Sequence, residues 1–265
     1  EVISQLRFET GHGLDGVVLR ADRDNEIQMI LIGESEKPEI ELETDLAVSV
    51  VYQGSGGSYV MSGGSTMVQD VGGFEIAVPD TAPFYGNPGI YAPLFETLSG
   101  LLPDWKGKAV CTIYPGSGLW AMFAASRGGD CSAIFETESA GENPELSGCA
   151  DGFLLNLESD SMADYDFSLY IGFPDQILPN MPKSPDVVIL DTTFESLHVN
   201  TVDALGKLGV SDVLLIGEDP ATAARDVARL TAAGYEFTRA LPFDTFPQTA
   251  AFGCVYFLRH TSQFD

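Results

Sequence analysis

The chain has 265 residues, 45% of them hydrophobic and 20% charged, which is long enough for one or two domains with a buried core. Asp and Glu number 39 against 13 Lys and Arg, so the formal net charge is −26. This charge opposes nucleic-acid binding, which relies on Lys and Arg contacts to phosphates, and we do not expect RNA binding. It suits either a salt-rich cytoplasm or a basic protein partner. No apolar run approaches the length of a membrane-spanning helix, so we expect a cytoplasmic protein without membrane insertion.

Residues 1–80 predict a β-rich N-terminal subdomain. Short β-branched or aromatic runs are separated by clusters of glycine, which suits an antiparallel meander of hairpins. Because no helical pattern follows these clusters, they indicate tight turns rather than phosphate cradles. The predicted strands span residues 16–21, 27–32, 47–52, 58–61 and 74–78.

Residues 81–265 predict an α/β domain, because apolar strand-like runs alternate with helical patterns. Such alternation is typical of a parallel sheet with helices on both faces. The predicted strands span residues 108–114, 132–135, 152–157, 186–191 and 212–216, and the predicted helices span 91–102, 119–126, 199–207 and 220–233. Asp219 is the expected N-cap of the last helix. Residues 236–239 and 253–258 predict an antiparallel hairpin at the edge of the sheet.

Three polar positions at the ends of predicted strands form a candidate ligand site. The turn from Thr112 to Gly118 is rich in glycine and precedes a helix, so its backbone N–H groups can approach a ligand. Glu136 ends the next strand and can accept both hydroxyls of a ribose, although Glu138 competes for this role. Asp191 ends a third strand. Together these positions indicate a nucleoside-type ligand.

Two segments resemble the RNA (uracil-5-)-methyltransferase family. They are Val213–Asp226, with the sequence VLLIGEDPATAARD, and Phe243–Thr249, with the sequence FDTFPQT. The resemblance covers about residues 80–259 and implies the class I (Rossmann-like) methyltransferase fold with S-adenosylmethionine as cofactor.

The resemblance also assigns cofactor positions to residues of this chain, which are Tyr85, Tyr114, Gly116, Gly118, Glu136 and Asp191. Two positions depart from the family pattern. Thr112 stands where the family has an acidic residue, and Tyr85 stands where it has a glutamine that contacts the cofactor. We therefore expect binding of S-adenosylmethionine to be weak or lost.

The two positions that carry the family's chemistry also differ. The family places a nucleophilic cysteine where this chain has Glu218, and a general base where it has Gly253. A carboxylate adds poorly to C6 of uracil, and glycine has no side chain to take the C5 proton. We therefore expect no catalytic residue and an inactive homologue that serves as a binding or structural subunit. The alternatives are a methyltransferase acting on another substrate, and RNA processing helped by a basic partner.

Other kinds of site have less support. The three histidines (His12, His198 and His260) are far apart in sequence, and none of the four cysteines forms a C-x-x-C pair, so we expect no metal site. Cys111 and Cys254 lie in apolar runs and predict buried thiols, in keeping with a reducing compartment. Glu218, Asp219 and Asp191 form an acidic group that can bind a cation, act in acid–base chemistry, or simply face solvent at a helix N-terminus.

Overall fold

The computed structural model describes residues 13–22, 26–38, 47–83, 85–136, 144–159, 162, 165–193 and 196–263. The strands are β1 (Leu14–Ala21), β2 (Ile27–Gly33), β3 (Val48–Gly54), β4 (Gly57–Ser62), β5 (Thr66–Val71), β6 (Phe74–Pro79), β7 (Ala109–Ile113), β8 (Asp130–Phe135), β9 (Phe167–Ile171), β10 (Val187–Asp191), β11 (Asp212–Gly217), β12 (Tyr235–Phe243) and β13 (Gly253–His260). The α-helices are α1 (Tyr91–Leu101), α2 (Leu119–Ser126), α3 (Pro144–Leu157), α4 (Pro174–Ile177), α5 (Val199–Leu208) and α6 (Pro220–Ala232).

A seven-stranded sheet forms the centre of the α/β part, in the order β12-β13-β11-β10-β7-β8-β9. Strands β7 to β11 pair in parallel, whereas β13 runs antiparallel to β11 and β12 antiparallel to β13. Every residue of β7 and β10 is buried, as expected for parallel strands covered on both faces. The predicted fold class and the antiparallel edge hairpin are therefore confirmed.

The helices cover both faces of this sheet. On one face, Phe95 of α1 stacks on Phe123 of α2 with ring centroids 4.4 Å apart. On the other face, Leu205 of α5 and Leu230 of α6 are fully buried against the strands. The chain runs outward from β7 to β9 and then returns to β10 beside β7. The crevice at this reversal is where open α/β sheets bind their ligands.

One of the predicted strands is wrong. Residues 152–157 belong to α3, and the third parallel strand is β9. Phe153 and Asn156 are buried while Leu154 and Leu155 are exposed, which is the spacing of a helix face. A short apolar run does not distinguish a strand from a buried helix segment, and the neighbouring apolar residues favoured the wrong choice.

The N-terminal part is β-rich as predicted, but its topology differs from an antiparallel meander. Its four-stranded sheet has the order β1-β2-β3-β4, and β2 pairs with β3 in parallel. A separate hairpin of β5 and β6 follows, and β5 was not predicted. Strand β6 leads through Asp80 into the α/β part. In the part of the chain that the structure describes, no helix is long and apolar enough to cross a membrane.

Candidate functional site

The glycine-rich turn after β7 lies at the predicted position, in the crevice of the sheet. Tyr114, Gly116 and Gly118 all adopt positive φ angles, of 58°, 54° and 101°. Glycine takes this backbone conformation without steric cost, but tyrosine does not. The turn therefore depends on its two glycines to bring the chain from β7 into α2.

The Tyr114 hydroxyl holds the carboxylate that was predicted to bind a ribose. Its oxygen donates a hydrogen bond of 2.8 Å to Glu136 Oε2. Burial, followed by the bond to Glu136, raises the pKa of Tyr114 well above its usual value. The structure thus brings two predicted cofactor residues together, and one carboxylate oxygen already has a donor from the protein.

Helix α3 covers the turn. The Phe153 ring lies over Gly118, where an added Cβ atom would stand 2.7 Å from Phe153 Cδ2. Asn156 donates a hydrogen bond of 2.8 Å to the Ser117 carbonyl. All five residues from Tyr114 to Gly118 are buried. The Phe153 ring therefore packs directly on Gly118, and a side chain at position 118 would collide with it.

Asn156 also ties α3 to the N-terminal hairpin. Its side chain accepts a hydrogen bond of 2.6 Å from Ala77 N–H and donates one of 3.1 Å to the Ala77 carbonyl, in the middle of β6. The amide therefore pairs with β6 as a neighbouring strand would. Neither Phe153 nor Asn156 was expected at the site, because both residues lay in a predicted strand.

Two acidic residues lie close together at the ends of β10 and β11. Asp191 is 2% exposed, and burial raises its pKa from 3.8 to about 6, although the Thr193 N–H donates to it at 3.2 Å. The pKa of Glu218 rises from 4.5 to about 7, because of burial first and the charge of Asp191 second. We call Asp191 and Glu218 the carboxyl pair. Their proximity follows the prediction, since both follow neighbouring strands.

An aromatic cluster of Tyr85, Tyr91 and Phe243 lies beside the carboxyl pair. The rings of Tyr85 and Tyr91 are 5.5 Å apart and those of Tyr91 and Phe243 are 5.9 Å apart, both in edge-to-face geometry. Burial raises the pKa of Tyr85 most, and the charge of Asp191 raises it further. Tyr85, assigned to the cofactor by resemblance, is buried within this cluster.

Phe243 of the same cluster packs on Gly253, the position that the resemblance assigns to the family's general base. Gly253 begins β13 and pairs with Phe243 on β12. A Cβ atom on Gly253 would stand 2.4 Å from Phe243 Cε2 and Cζ. The ring therefore leaves no room for a side chain that could accept a proton. Phe243 packs on Gly253 and Phe153 packs on Gly118. No sequence pattern indicated that either phenylalanine would lie at the site.

The remaining acidic residue of the predicted group, Asp219, lies at the N-terminus of α6. Asp219 is exposed and caps α6, accepting hydrogen bonds from the N–H groups of Ala221 and Thr222 at 3.1 and 3.3 Å. These bonds and the Thr222 hydroxyl lower its pKa. No group of three or more His, Cys, Asp or Glu within the described ranges could hold a metal ion.

His198 caps α5, accepting a hydrogen bond of 3.3 Å from the Asn200 N–H. The prediction of two buried thiols is confirmed. Cys111 and Cys254 are buried free thiols.

Comparison with known proteins agrees with the resemblance. No protein-family model matches the chain. A protein of Streptomyces avermitilis named as an uncharacterized RNA methyltransferase is 25% identical over 263 residues, covering 97% of this chain and 58% of that protein. A protein of Streptomyces coelicolor with the same description is 30% identical over 163 residues, covering 61% of this chain and 33% of that protein. The chain thus spans less than two thirds of the length of these curated relatives.

A solved structure supports the fold. The tRNA (uracil-54, C5)-methyltransferase of Pyrococcus abyssi, determined in complex with S-adenosyl-L-homocysteine, superposes with a TM-score of 0.68. The match covers 92% of this chain and 59% of that protein, at 18% identity. The chain has the class I methyltransferase fold, and its sequence similarity is to RNA methyltransferases.

Proposed function

We propose that this chain is a catalytically inactive relative of the RNA uracil-5-methyltransferases and acts as a binding or structural subunit. The proposal rests on the residues at two positions, Glu218 and Gly253. Methylation at C5 of uracil needs a nucleophile that adds at C6 and a base that removes the C5 proton. A carboxyl group occupies the first position, and the Phe243 ring excludes a base from the second.

The state of Glu218 adds to this argument. Its pKa of about 7 keeps it partly protonated near neutral pH, which weakens it further as a nucleophile. Asp191 lies close enough to raise this pKa, so ionising Glu218 costs additional electrostatic energy. A carboxyl group in these surroundings does not replace a thiolate.

The cofactor site supports the same proposal. Phe153 and Asn156 cover the turn, and Tyr114 donates to Glu136, the expected ribose acceptor. We propose that S-adenosylmethionine binding is weak or lost. Given the net charge of −26, we propose that the partner is a basic protein rather than RNA.

Two measurements test the proposal together. Calorimetric titration with S-adenosylmethionine is expected to give no saturable heat. Incubation of the purified chain with tritium-labelled S-adenosylmethionine and an unmodified transcript is expected to leave uridine C5 unlabelled. The variant Glu218→Cys tests the nucleophile alone, and we expect it to stay inactive because no base is present opposite it. Micromolar binding that Glu136→Ala abolishes, or label at uridine C5, would refute the proposal.

The carboxyl pair favours a second candidate function, a methyltransferase acting on a substrate other than uracil C5. A group with a pKa near 7 is suited to accept a proton from a substrate atom that is itself nucleophilic. Glu218 would then act as a general base, and no enzyme nucleophile would be needed. This candidate requires S-adenosylmethionine binding, so the same titration separates it from the first.

A further inference from the structure

A cavity of about 880 Å³ lies in the N-terminal part, between the four-stranded sheet and the segment that follows β6. One wall is a face of the four-stranded sheet, and the opposite wall is the segment Asp80–Pro83 that follows β6. Its volume is in the range of pockets that enclose small organic molecules. None of the residues that the resemblance assigns to the cofactor or to catalysis lines this cavity.

The strand register explains how its apolar wall forms. Val18 pairs with Ile30, and Ile32 lies two residues further along β2. Because side chains alternate across a strand, these three point to the same face of the sheet. Ile30 is 2% exposed at the base of the cavity, whereas Val18 is 41% exposed at its rim. Ala82 and Pro83 supply apolar surface from the other side.

One carboxylate forms the polar end of the cavity. Asp80 is only 6% exposed. Its Oδ2 accepts hydrogen bonds from Ser58 Oγ at 2.5 Å and from Gln53 Nε2 at 3.1 Å. Both donors are neutral. Within the described residues, Oδ1 of Asp80 receives no hydrogen bond, so this buried carboxylate keeps one oxygen for a donor outside the protein.

The nearby cation, Arg20, is held by the backbone and also interacts electrostatically with Asp80. Arg20 donates to the carbonyls of Pro79, Asp80 and Ala82 at 2.9, 2.9 and 2.7 Å. These bonds hold its guanidinium against the segment after β6. The charged residues lining the cavity are Arg20, Asp80 and Glu34, which leaves the lining with one excess negative charge. The whole chain adds a strongly negative field.

From this arrangement we propose that the cavity binds a small organic cation, with an ammonium group at Asp80 and an apolar body against Val18, Ile30 and Ile32. The buried carboxylate provides the charge-assisted hydrogen bond, and the aliphatic wall excludes water from it. The proposal concerns a site separate from the methyltransferase-like crevice, and it holds whether or not that crevice binds a cofactor.

Three probes that share a phenylalkyl group test the proposal by isothermal titration calorimetry. They are 4-phenylbutylamine, 4-phenylbutan-1-ol and 4-phenylbutyrate, which carry a cationic, a neutral and an anionic head group on a phenylalkyl chain. We expect the amine to bind at least about tenfold more tightly than the alcohol, and the acid to bind most weakly. Equal affinities for all three would overturn the proposal, because apolar burial alone would then explain binding.

Variants locate the binding site. Asp80→Asn is expected to remove the preference for the amine over the alcohol. Val18→Trp places a large ring at the exposed rim and is expected to abolish binding of both. Val68→Trp is the matched control, since Val68 lies on β5, is 50% exposed and does not line the cavity; it should leave affinity unchanged. Should Asp80→Asn fail to fold, unchanged amine binding by Val18→Trp still overturns the proposal.

One further probe separates a free small molecule from a lysine carried by a protein. The blocked tripeptide acetyl-Val-Lys-Val-amide presents the same ammonium on a peptide. We expect it to bind more weakly than 4-phenylbutylamine, because the concave cavity encloses a compact ligand. Tighter binding of the tripeptide would overturn the assignment to a small molecule.

Discussion

Gly253 faces the ring of Phe243 across the β12–β13 ladder, where a Cβ atom would stand 2.4 Å from two ring carbons. Such a distance is well inside the contact of two carbon atoms. Phe243 is 7% exposed and packs on Tyr91, so its ring cannot move outward freely. The absence of a side chain at position 253 is therefore a packing requirement of this edge of the sheet.

The first prediction concerns this packing. Gly253→Ala is expected to lower the free energy of unfolding by about 1–3 kcal/mol, because the added methyl group overpacks the ring. Urea denaturation followed by circular dichroism measures the change. Gly16→Ala is the control, since Gly16 also lies in a strand but its Cβ would meet its nearest neighbour at 3.8 Å.

A double-variant cycle checks the cause. In a Phe243→Ala background, Gly253→Ala is expected to cost little, because the space is then open, and the two changes should be strongly non-additive. Additive effects would show that the ring is not what excludes the side chain.

The second prediction concerns pH and the carboxyl pair. The folded-state pKa values of Asp191 and Glu218 are raised, from 3.8 to about 6 and from 4.5 to about 7. Folding therefore favours the protonated forms, and the pair lowers stability as pH rises from about 4 through 7. Glu218→Gln removes one ionisable group of the pair. We expect it to stabilise the chain relative to wild type by an amount on the order of 1 kcal/mol at pH 8, since partial exposure screens Glu218.

The same comparison at pH 4.5 is expected to show almost no difference, because Glu218 is then protonated in the folded chain. Denaturation curves at both pH values provide the measurement. Glu236→Gln, at an exposed position on β12, is the control variant for the loss of one carboxylate from the surface. A gain in stability that is the same at both pH values would contradict the raised pKa of Glu218.

Sequence patterns predicted the parts of the site that depend on strand ends. Tyr114, Glu136, Asp191 and Glu218 each follow a buried strand, and parallel strands end at the same edge of a sheet. Their convergence therefore followed from the order of elements. The N-cap at Asp219 was predictable for a similar reason, since it depends on the residues of one helix.

The two aromatic rings that pack on the glycines of the site could not be predicted from local patterns. Phe153 reaches Gly118, and Phe243 reaches Gly253, through tertiary packing. The apolar residues around Phe153 are compatible with both a strand and a helix. The parallel pairing of β2 with β3 was missed because strands that follow one another in sequence were expected to form antiparallel hairpins.

The third prediction concerns the link between α3 and the rest of the molecule. Asn156→Ala removes three hydrogen bonds and leaves the Ala77 N–H and the carbonyls of Ala77 and Ser117 without this partner. Because Asn156 is 2% exposed, we expect a loss of about 2–4 kcal/mol in the free energy of unfolding. Thermal and urea denaturation measure it.

Asn180→Ala is the matched control for that change. The Asn180 side chain makes one exposed hydrogen bond, to the Gln176 carbonyl at 2.8 Å, and its loss should change stability by less than about 0.5 kcal/mol. Similar effects of the two substitutions would mean that Asn156 does not hold α3 on the hairpin.

The fourth prediction concerns the covered turn and connects packing with function. Phe153→Ala removes the ring above Gly118 and opens space beside the backbone of the turn. We expect the variant to lose about 3–4 kcal/mol of stability, because a large buried side chain is removed from the core. We also expect it to gain measurable binding of S-adenosyl-L-homocysteine, detected by calorimetry at a temperature where the variant is still folded.

Phe167→Ala distinguishes opening of the turn from general loosening. The ring of Phe167 lies 6.2 Å from that of Phe153 and belongs to the same hydrophobic cluster, but it does not lie over Gly118. We expect Phe167→Ala to lower the free energy of unfolding without increasing the affinity for S-adenosyl-L-homocysteine. Adding Glu136→Ala to Phe153→Ala should abolish the gained binding, because Glu136 is the expected acceptor for ribose hydroxyls. If wild type binds the ligand as tightly as Phe153→Ala, the ring does not block the turn, and the methyltransferase acting on another substrate becomes the better explanation.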